Sequence, residues 1–200
     1  ICDAIAKKIS NKNIFVIPNM ADTEFLKPES KRVELEKKFG VKDRLVIAYL
    51  GAMGFANGLE HLLSCAKVCE EKSLLVHFLL AGDGVERANL QKQAAAMQLR
   101  NLSFVTFQNR EGIRELMNIT DAVFVCYRNA AILETGSPNK FFDGLAAGKL
   151  IMVNFGGWIK KEIEEANCGF YIDPGTPESI VPSLQKIIAG NQVPESQKRS

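Results

Sequence analysis

Six apolar residues in a row, Leu45-Val46-Ile47-Ala48-Tyr49-Leu50, form an unbroken hydrophobic run. A run of that length with no polar alternation reads as a strand covered on both faces, as in a parallel sheet. Shorter runs at residues 122–126, 150–153 and 170–172 read the same way, and 76–80 and 102–104, broken by His77 and Ser103, also read as strands. Between them the apolar positions fall at helical spacing. Leu59, Leu62, Leu63 and Ala66 mark a helix over 58–71, and further helices are expected over 85–97, 112–119, 158–166 and 177–189. Before the long run, Lys27-Pro28-Glu29-Ser30 reads as a cap for a helix through Lys38 that Gly40 ends. An amphipathic turn or helix over 1–13, a short strand over 14–17 and a turn at Pro18-Asn19 open the chain, and a polar tail over 190–200 closes it. Repeated βα units of this kind imply a doubly wound, parallel α/β sheet of about six strands, Rossmann-like in its winding. No repeat and no Gly- or Ser-rich linker divides it, so residues 1–200 read as one domain.

Ligands on such sheets bind beyond the carboxyl ends of the strands. The loops there are 51–58, 82–84, 107–110, 128–137 and 155–158. Gly51-Ala52-Met53-Gly54 and Gly58 follow the strongest strand, where small residues let a ligand approach the backbone. Their spacing is not GxGxxG, and no acid follows at the distance a ribose would need, which argues against a nicotinamide site. A Walker lysine motif is absent as well.

The stretch richest in chemistry runs from Ser137 to Lys149. Ser137 reads as an N-cap, Pro138 as the first helical residue and Gly148 as the left-handed stop. Asn139, Lys140 and Asp143 then share one face, while Phe141, Phe142, Leu145 and Ala146 are left for the core. Unpaired N–H groups, a positive helix end and a neighbouring lysine suit an anion. An acid one turn deeper suits hydroxyls, and phosphate with hydroxyls describes a nucleotide. The same residues also suit a capped amphipathic helix whose Lys and Asp face water.

Composition narrows the classes. The chain has 200 residues, 46% hydrophobic and 24% charged, the usage of a globular domain. A formal charge of +2 gives no basic surface for nucleic acid. No apolar run is long enough to span a membrane and no signal-peptide pattern opens the chain, so a cytoplasmic protein is expected. Five scattered cysteines, Cys2, Cys65, Cys69, Cys126 and Cys168, read as buried thiols rather than a metal site or disulfides.

Several landmarks now fall in order. Val16-Ile17-Pro18-Asn19-Met20-Ala21-Asp22 through Pro28 resembles the hinge signature of retaining GT-B glycosyltransferases, family four. Tyr49-Leu50-Gly51, Gly58-Leu59-Glu60 and Leu79-Leu80-Ala81-Gly82-Asp83-Gly84 resemble the next landmarks. Ser137 to Lys149 is similar to the donor-site helix of the branch that builds capsule, O-antigen and exopolysaccharide. The resemblance implies the C-terminal, donor-binding half of a GT-B fold, with 1–13 left from the interdomain region. It implies binding of a nucleoside-diphosphate sugar, a UDP-sugar by default, for retaining transfer of a hexosyl or N-acetylaminosugar unit. The saccharide or lipid-linked acceptor would be held by an N-terminal domain, as would any membrane contact, at the inner face. Neither metal nor other cofactor is implied, and the isolated domain is expected to turn nothing over.

Carried over residue by residue, the resemblance makes Asp143 the second acid of an E-x7-E motif, holding the ribose. Ser137, Asn139 and Lys140 then stand at the diphosphate, with Lys140 supporting the departing group. Gly51, Met53 and Gly54 fall on the loop facing diphosphate and sugar, and Phe107 ends the strand and turn that meet the base. Thr135 occupies the place of the first acid, with Glu134 beside it as a substitute catalytic acid. Ala52 and Asn57 stand where relatives carry cations, leaving Arg110 and Arg128 as other sources of positive charge. The missing acid and cations keep a second reading open, a non-catalytic nucleotide-binding or assembly module on the same fold. A sugar-nucleotide epimerase of GT-B fold would need catalytic acids and histidines that are not found.

Overall fold

The computed structural model describes residues 19–189 together with Phe15 and Ile17. The helix expected over 1–13, most of the strand over 14–17 and the tail over 190–200 lie outside the described residues.

The described elements run α1 (Val33–Phe39), β1 (Leu45–Leu50), α2 (Glu60–Glu71), β2 (Val76–Ala81), α3 (Arg87–Ala96), β3 (Leu102–Val105) and α4 (Arg110–Ile119). They continue with β4 (Ala122–Val125), α5 (Asn139–Ala146), β5 (Leu150–Val153), α6 (Trp158–Glu165), β6 (Gly169–Tyr171) and α7 (Ile180–Ile188). The six strands form one sheet in the order β3-β2-β1-β4-β5-β6, every pairing parallel. The chain therefore winds outward from β1 in one direction, returns, and winds out from β4 in the other. Between β1 and β4 lies the point where the winding reverses.

Alternate residues of each strand feed two cores, as the uninterrupted apolar runs require. Ile47, Tyr49, Phe78, Leu80 and Phe124 face α2, α3 and α7 through Leu62, Leu63, Leu90 and Leu184. Val46, Ala48, Leu50, Val123 and Ile151 face α1, α4, α5 and α6 through Leu35, Leu116, Phe141 and Ile159. Cys65, Cys69 and Cys126 are buried free thiols within the first core. Cys126 directly follows β4, its Sγ donating to the Gly58 carbonyl at 3.4 Å, and burial pushes its thiol up.

Helix starts depart from expectation where distant side chains hold the backbone. The first helix begins at Val33 and not at Ser30, and Arg32 precedes it without a side-chain cap. Asn118, 86 positions away from Arg32, accepts from the Arg32 N–H at 2.9 Å and donates to the Ser30 carbonyl at 3.0 Å, keeping that segment extended. At the other end Gly40 adopts φ 68° and closes the helix as expected.

One polar group inside the sheet sets an acid limit. His77 on β2 is 6% exposed, its Nε2 2.7 Å from Ser103 Oγ, and its Nδ1 has no partner. Burial, with the nearby Arg44 charge, pushes the imidazole down to about 4. The unfolded chain takes up this proton near pH 6.5, so it binds more protons than the fold between those values. Stability from His77 is therefore present above pH 6.5 and lost as pH falls toward 4, by up to about 3 kcal/mol. Urea unfolding of the protein and of His77→Gln at pH 7 and pH 4.5 should show the gap between them moving against the unmutated chain on acidification. An unchanged gap would remove His77 as the cause.

Candidate active site

The reversal between β1 and β4 opens a cleft of about 450 Å³ beyond the carboxyl ends of the strands. That is where a doubly wound sheet offers a binding crevice. A hollow of similar size, about 440 Å³, lies between Lys31, Arg44 and Ile188 at the amino ends of β1 and β4, the unfavoured side. The cleft has an apolar wall of Leu50, Ile113 and Met117, and Tyr127 lies beyond β4. Its polar wall is the start of α5, which contributes Ser137, Asn139, Lys140 and Asp143.

Two of the glycines after strands let loops close over one another. Gly82 has φ 140°, and a Cβ there would stand 2.0 Å from the Gly51 carbonyl oxygen. Gly84 has φ 151°, and its Cβ would stand 2.5 Å from the Met53 carbonyl oxygen. The β2 loop thus lies directly against the β1 loop and sets its position.

Lys140 reaches from α5 across the end of β1. A Cβ at Gly51 would stand 3.2 Å from Lys140 Cε and 3.4 Å from its Nζ. The Nζ rests 4.9 Å from the centroid of the fully buried Tyr49 ring, a cation–π distance. Tyr49 is held in turn by its hydroxyl, which donates to the Ala52 carbonyl at 2.5 Å. Burial lowers the Lys140 ammonium, while Asp143 raises it in part. Asp143, one turn along, is raised by burial and lowered by Lys140. The first-turn N–H groups of Asn139 and Lys140 have no helical partner by position.

Of the residues singled out from the sequence, Gly51, Ser137, Asn139, Lys140 and Asp143 come together here. Ser137 does not cap the helix. Pro138, expected as the first helical residue, instead precedes the helix in extended backbone, φ −76° and ψ 134°, with no side-chain cap, while the Asn19 amide donates to the Ser137 carbonyl and to Asn139 Oδ1 from outside. Gly148, at φ 67°, is the expected left-handed stop.

Met53 requires a correction. It is fully buried, its N–H donates to Asp83 O at 2.8 Å, and its carbonyl accepts from Glu86 N at 3.0 Å, so it offers a ligand nothing. Gly54 is likewise occupied, its N–H donating to Asn57 Oδ1 at 3.1 Å. Phe107 is 76% exposed and lies outside the cleft lining. Glu134 sits on a short 3-10 turn, Ala131–Thr135, against the loop after β5, where a Cβ at Gly156 would stand 3.0 Å from its Oε1. It does not line the cleft.

Arg110 pairs with Asp22 and stacks 4.0 Å over the Phe25 ring. Arg128 pairs with Glu60 at 3.2 Å. Both extra cations are thus already engaged. No group of three or more His, Cys, Asp or Glu among the described residues could hold a metal ion. Sequence reasoning missed Asn19, Tyr49 and Tyr127 as parts of the site. Asn19 and Tyr49 fall inside quoted landmarks, and nothing local announces what they touch.

A family model described as glycosyl transferases group 1 matches residues 31–200. The chain belongs to this family. Among curated relatives of the family, it is 24% identical over 165 residues to the alpha-D-kanosaminyltransferase of Streptomyces kanamyceticus, covering 80% of this chain and 40% of that protein. It is 27% identical over 148 residues to the putative colanic acid biosynthesis glycosyl transferase WcaI of Escherichia coli, covering 72% and 36%. The chain therefore spans well under half of each relative. In fold it is similar to the C-terminal domain of the group 1 protein LpcC from Francisella tularensis, with a TM-score of 0.70, 16% identity, and coverage of 90% and 93%. It is also similar to Anabaena Alr3699/HepE in complex with UDP and glucose, with a TM-score of 0.71, 19% identity, and coverage of 90% and 50%. At such identities the likeness is one of fold, that of GT-B C-terminal domains. No helix among the described residues is long and apolar enough to cross a membrane.

Proposed function

We propose that this chain is the donor-binding domain of a retaining glycosyltransferase of surface-polysaccharide assembly, taking a UDP-sugar. One observation carries the reading: the Lys140 amine and the first turn of α5 meet in one cleft at the reversal of the sheet, with Asp143 one turn deeper. The solved relative carrying UDP and glucose supports uridine diphosphate, and the relative named for colanic acid supports the polysaccharide setting.

In this reading the diphosphate lies against Lys140 and the N–H groups of Asn139 and Lys140, and the ribose hydroxyls donate to Asp143. Leu50, Ile113 and Met117 provide the apolar wall. Transfer breaks the bond between the sugar's anomeric carbon and the diphosphate oxygen, whose electrons stay with the leaving group. An acceptor hydroxyl oxygen forms the new bond and gives up its proton to the departing diphosphate. The chain's part is to hold the donor and meet the charge that grows on the diphosphate. The acceptor belongs to a further domain. Glu134 against the β5 loop and Thr135 in the first acid's place favour a second reading, a domain that binds the nucleotide without catalysing transfer.

Melting the chain with uridine, guanosine and adenosine diphosphates tests both readings at their common root. A ligand at 100 times its dissociation constant adds about 2.7 kcal/mol of stability, and no response to any of the three would overturn the site. Turnover by the whole protein divides the readings. Asp143→Ala is expected to weaken uridine diphosphate by about 1.5–3 kcal/mol, the range for hydrogen bonds to a charged group. Titration with 2′-deoxyuridine diphosphate supplies the check, since equal affinity for the two sugars would take Asp143 off the ribose.

A further inference from the structure

The cleft takes part of its polarity from a residue that does not line it. Asn19 precedes Ser137 by 118 positions, yet its Nδ2 donates to the Ser137 carbonyl at 2.5 Å and to Asn139 Oδ1 at 3.0 Å. A backbone carbonyl only accepts, so Ser137 decides which end of the Asn19 amide faces α5. That N–H2 group must then meet the oxygen of Asn139, which decides the orientation of Asn139 as well. The Asn139 oxygen is turned to Asn19, and its Nδ2 is what remains. Asn139 is exposed, lines the cleft and directly precedes Lys140.

The geometry points to Asn19 as a positioning residue for the nucleoside diphosphate, one that turns the Asn139 amide so that it offers its N–H2 group, and not its oxygen, to the phosphates. This rests on the reading of the cleft proposed above. Without Asn19 the Asn139 amide is free to turn over, and its oxygen then faces an anion about as readily as its nitrogen does. Because the effect lies in the polarity of one side chain, the diphosphate feels it and the base does not. It also ties the segment leading into the domain to the occupancy of the site.

Calorimetric titration of uridine diphosphate and of uridine into the unmutated chain, Asn19→Leu, Asn139→Ala and the double variant tests this. Asn19→Leu is expected to weaken uridine diphosphate about three- to tenfold, the range for one neutral hydrogen bond, and to leave uridine unchanged. On the Asn139→Ala background the same change should have no further effect on the diphosphate. The melting temperature of the unliganded chain should fall only slightly, since both Asn19 hydrogen bonds are exposed, and by the same amount whether or not uridine is present. An equal loss for uridine, a loss that persists without the Asn139 side chain, or full affinity in Asn19→Leu would each overturn the inference while leaving the site standing. Failure of the unmutated chain to bind uridine, guanosine or adenosine diphosphate would overturn the site and Asn19's role with it.

Discussion

Gly82→Ala is expected to cost about 3–5 kcal/mol of folding stability, the sum of a disfavoured backbone and an overpacked contact. The added methyl would stand 2.0 Å from the Gly51 carbonyl oxygen at φ 140°. That oxygen belongs to backbone at the end of β1, so no flexible side chain can yield in its place. Gly40 supplies the internal comparison. It too has positive φ, 68°, but a Cβ there meets nothing within 4 Å. Gly40→Ala should therefore cost only the left-handed strain, about 1–2 kcal/mol. Urea unfolding of both variants would separate the contact from the conformation. Similar losses would show that the two loops move apart easily and that Gly82 does not set the position of Gly51.

Lys140→Ala should weaken uridine diphosphate by about 2–4 kcal/mol, the cost of truncating one side of a buried, hydrogen-bonded charge pair. The monophosphate should lose less and the nucleoside almost nothing. Lys140→Arg is not expected to restore binding, since a planar fork does not replace a compact ammonium that passes beside Gly51 on the way to the Tyr49 ring. The direction with pH follows from burial, which lowers the Lys140 ammonium. A bound diphosphate favours the charged form, so binding should take up a proton on the alkaline side and weaken as pH rises. Calorimetry in two buffers of different ionisation heat would detect the uptake, and equal losses for nucleoside and diphosphate would return Lys140 to a purely structural role.

The winding of the sheet was legible because its evidence is local. An unbroken apolar run such as 45–50 demands cover on both faces, and both cores supply it. Five of the residues chosen for the site also came together, since Asn139, Lys140 and Asp143 share a helix face whatever the tertiary structure, and Gly51 and Ser137 flank strand and helix ends. What was not legible depends on contacts between distant parts of the chain. The start of α1 is held by Asn118 and the start of α5 by Asn19, across separations of 86 and 118 residues that no local cap pattern reports. Met53 misled for a related reason. Its place in a glycine-rich loop suggested exposure, while the neighbouring β2 loop takes both of its backbone groups and the core takes its side chain.

Cys126 lies between these two kinds of evidence, a neutral thiol sealed at the end of β4 with its sulfur on the Gly58 carbonyl and burial holding its ionisation up. Alkylation requires a thiolate that solvent can reach, and the closed fold denies both conditions. Reagent can act only after the end of β4 has lifted from the loop after β1, so the pace of its modification counts those openings. The protein thus carries an unengineered clock for the breathing of the end of its sheet where the cleft lies, set apart from the slower unfolding of the whole.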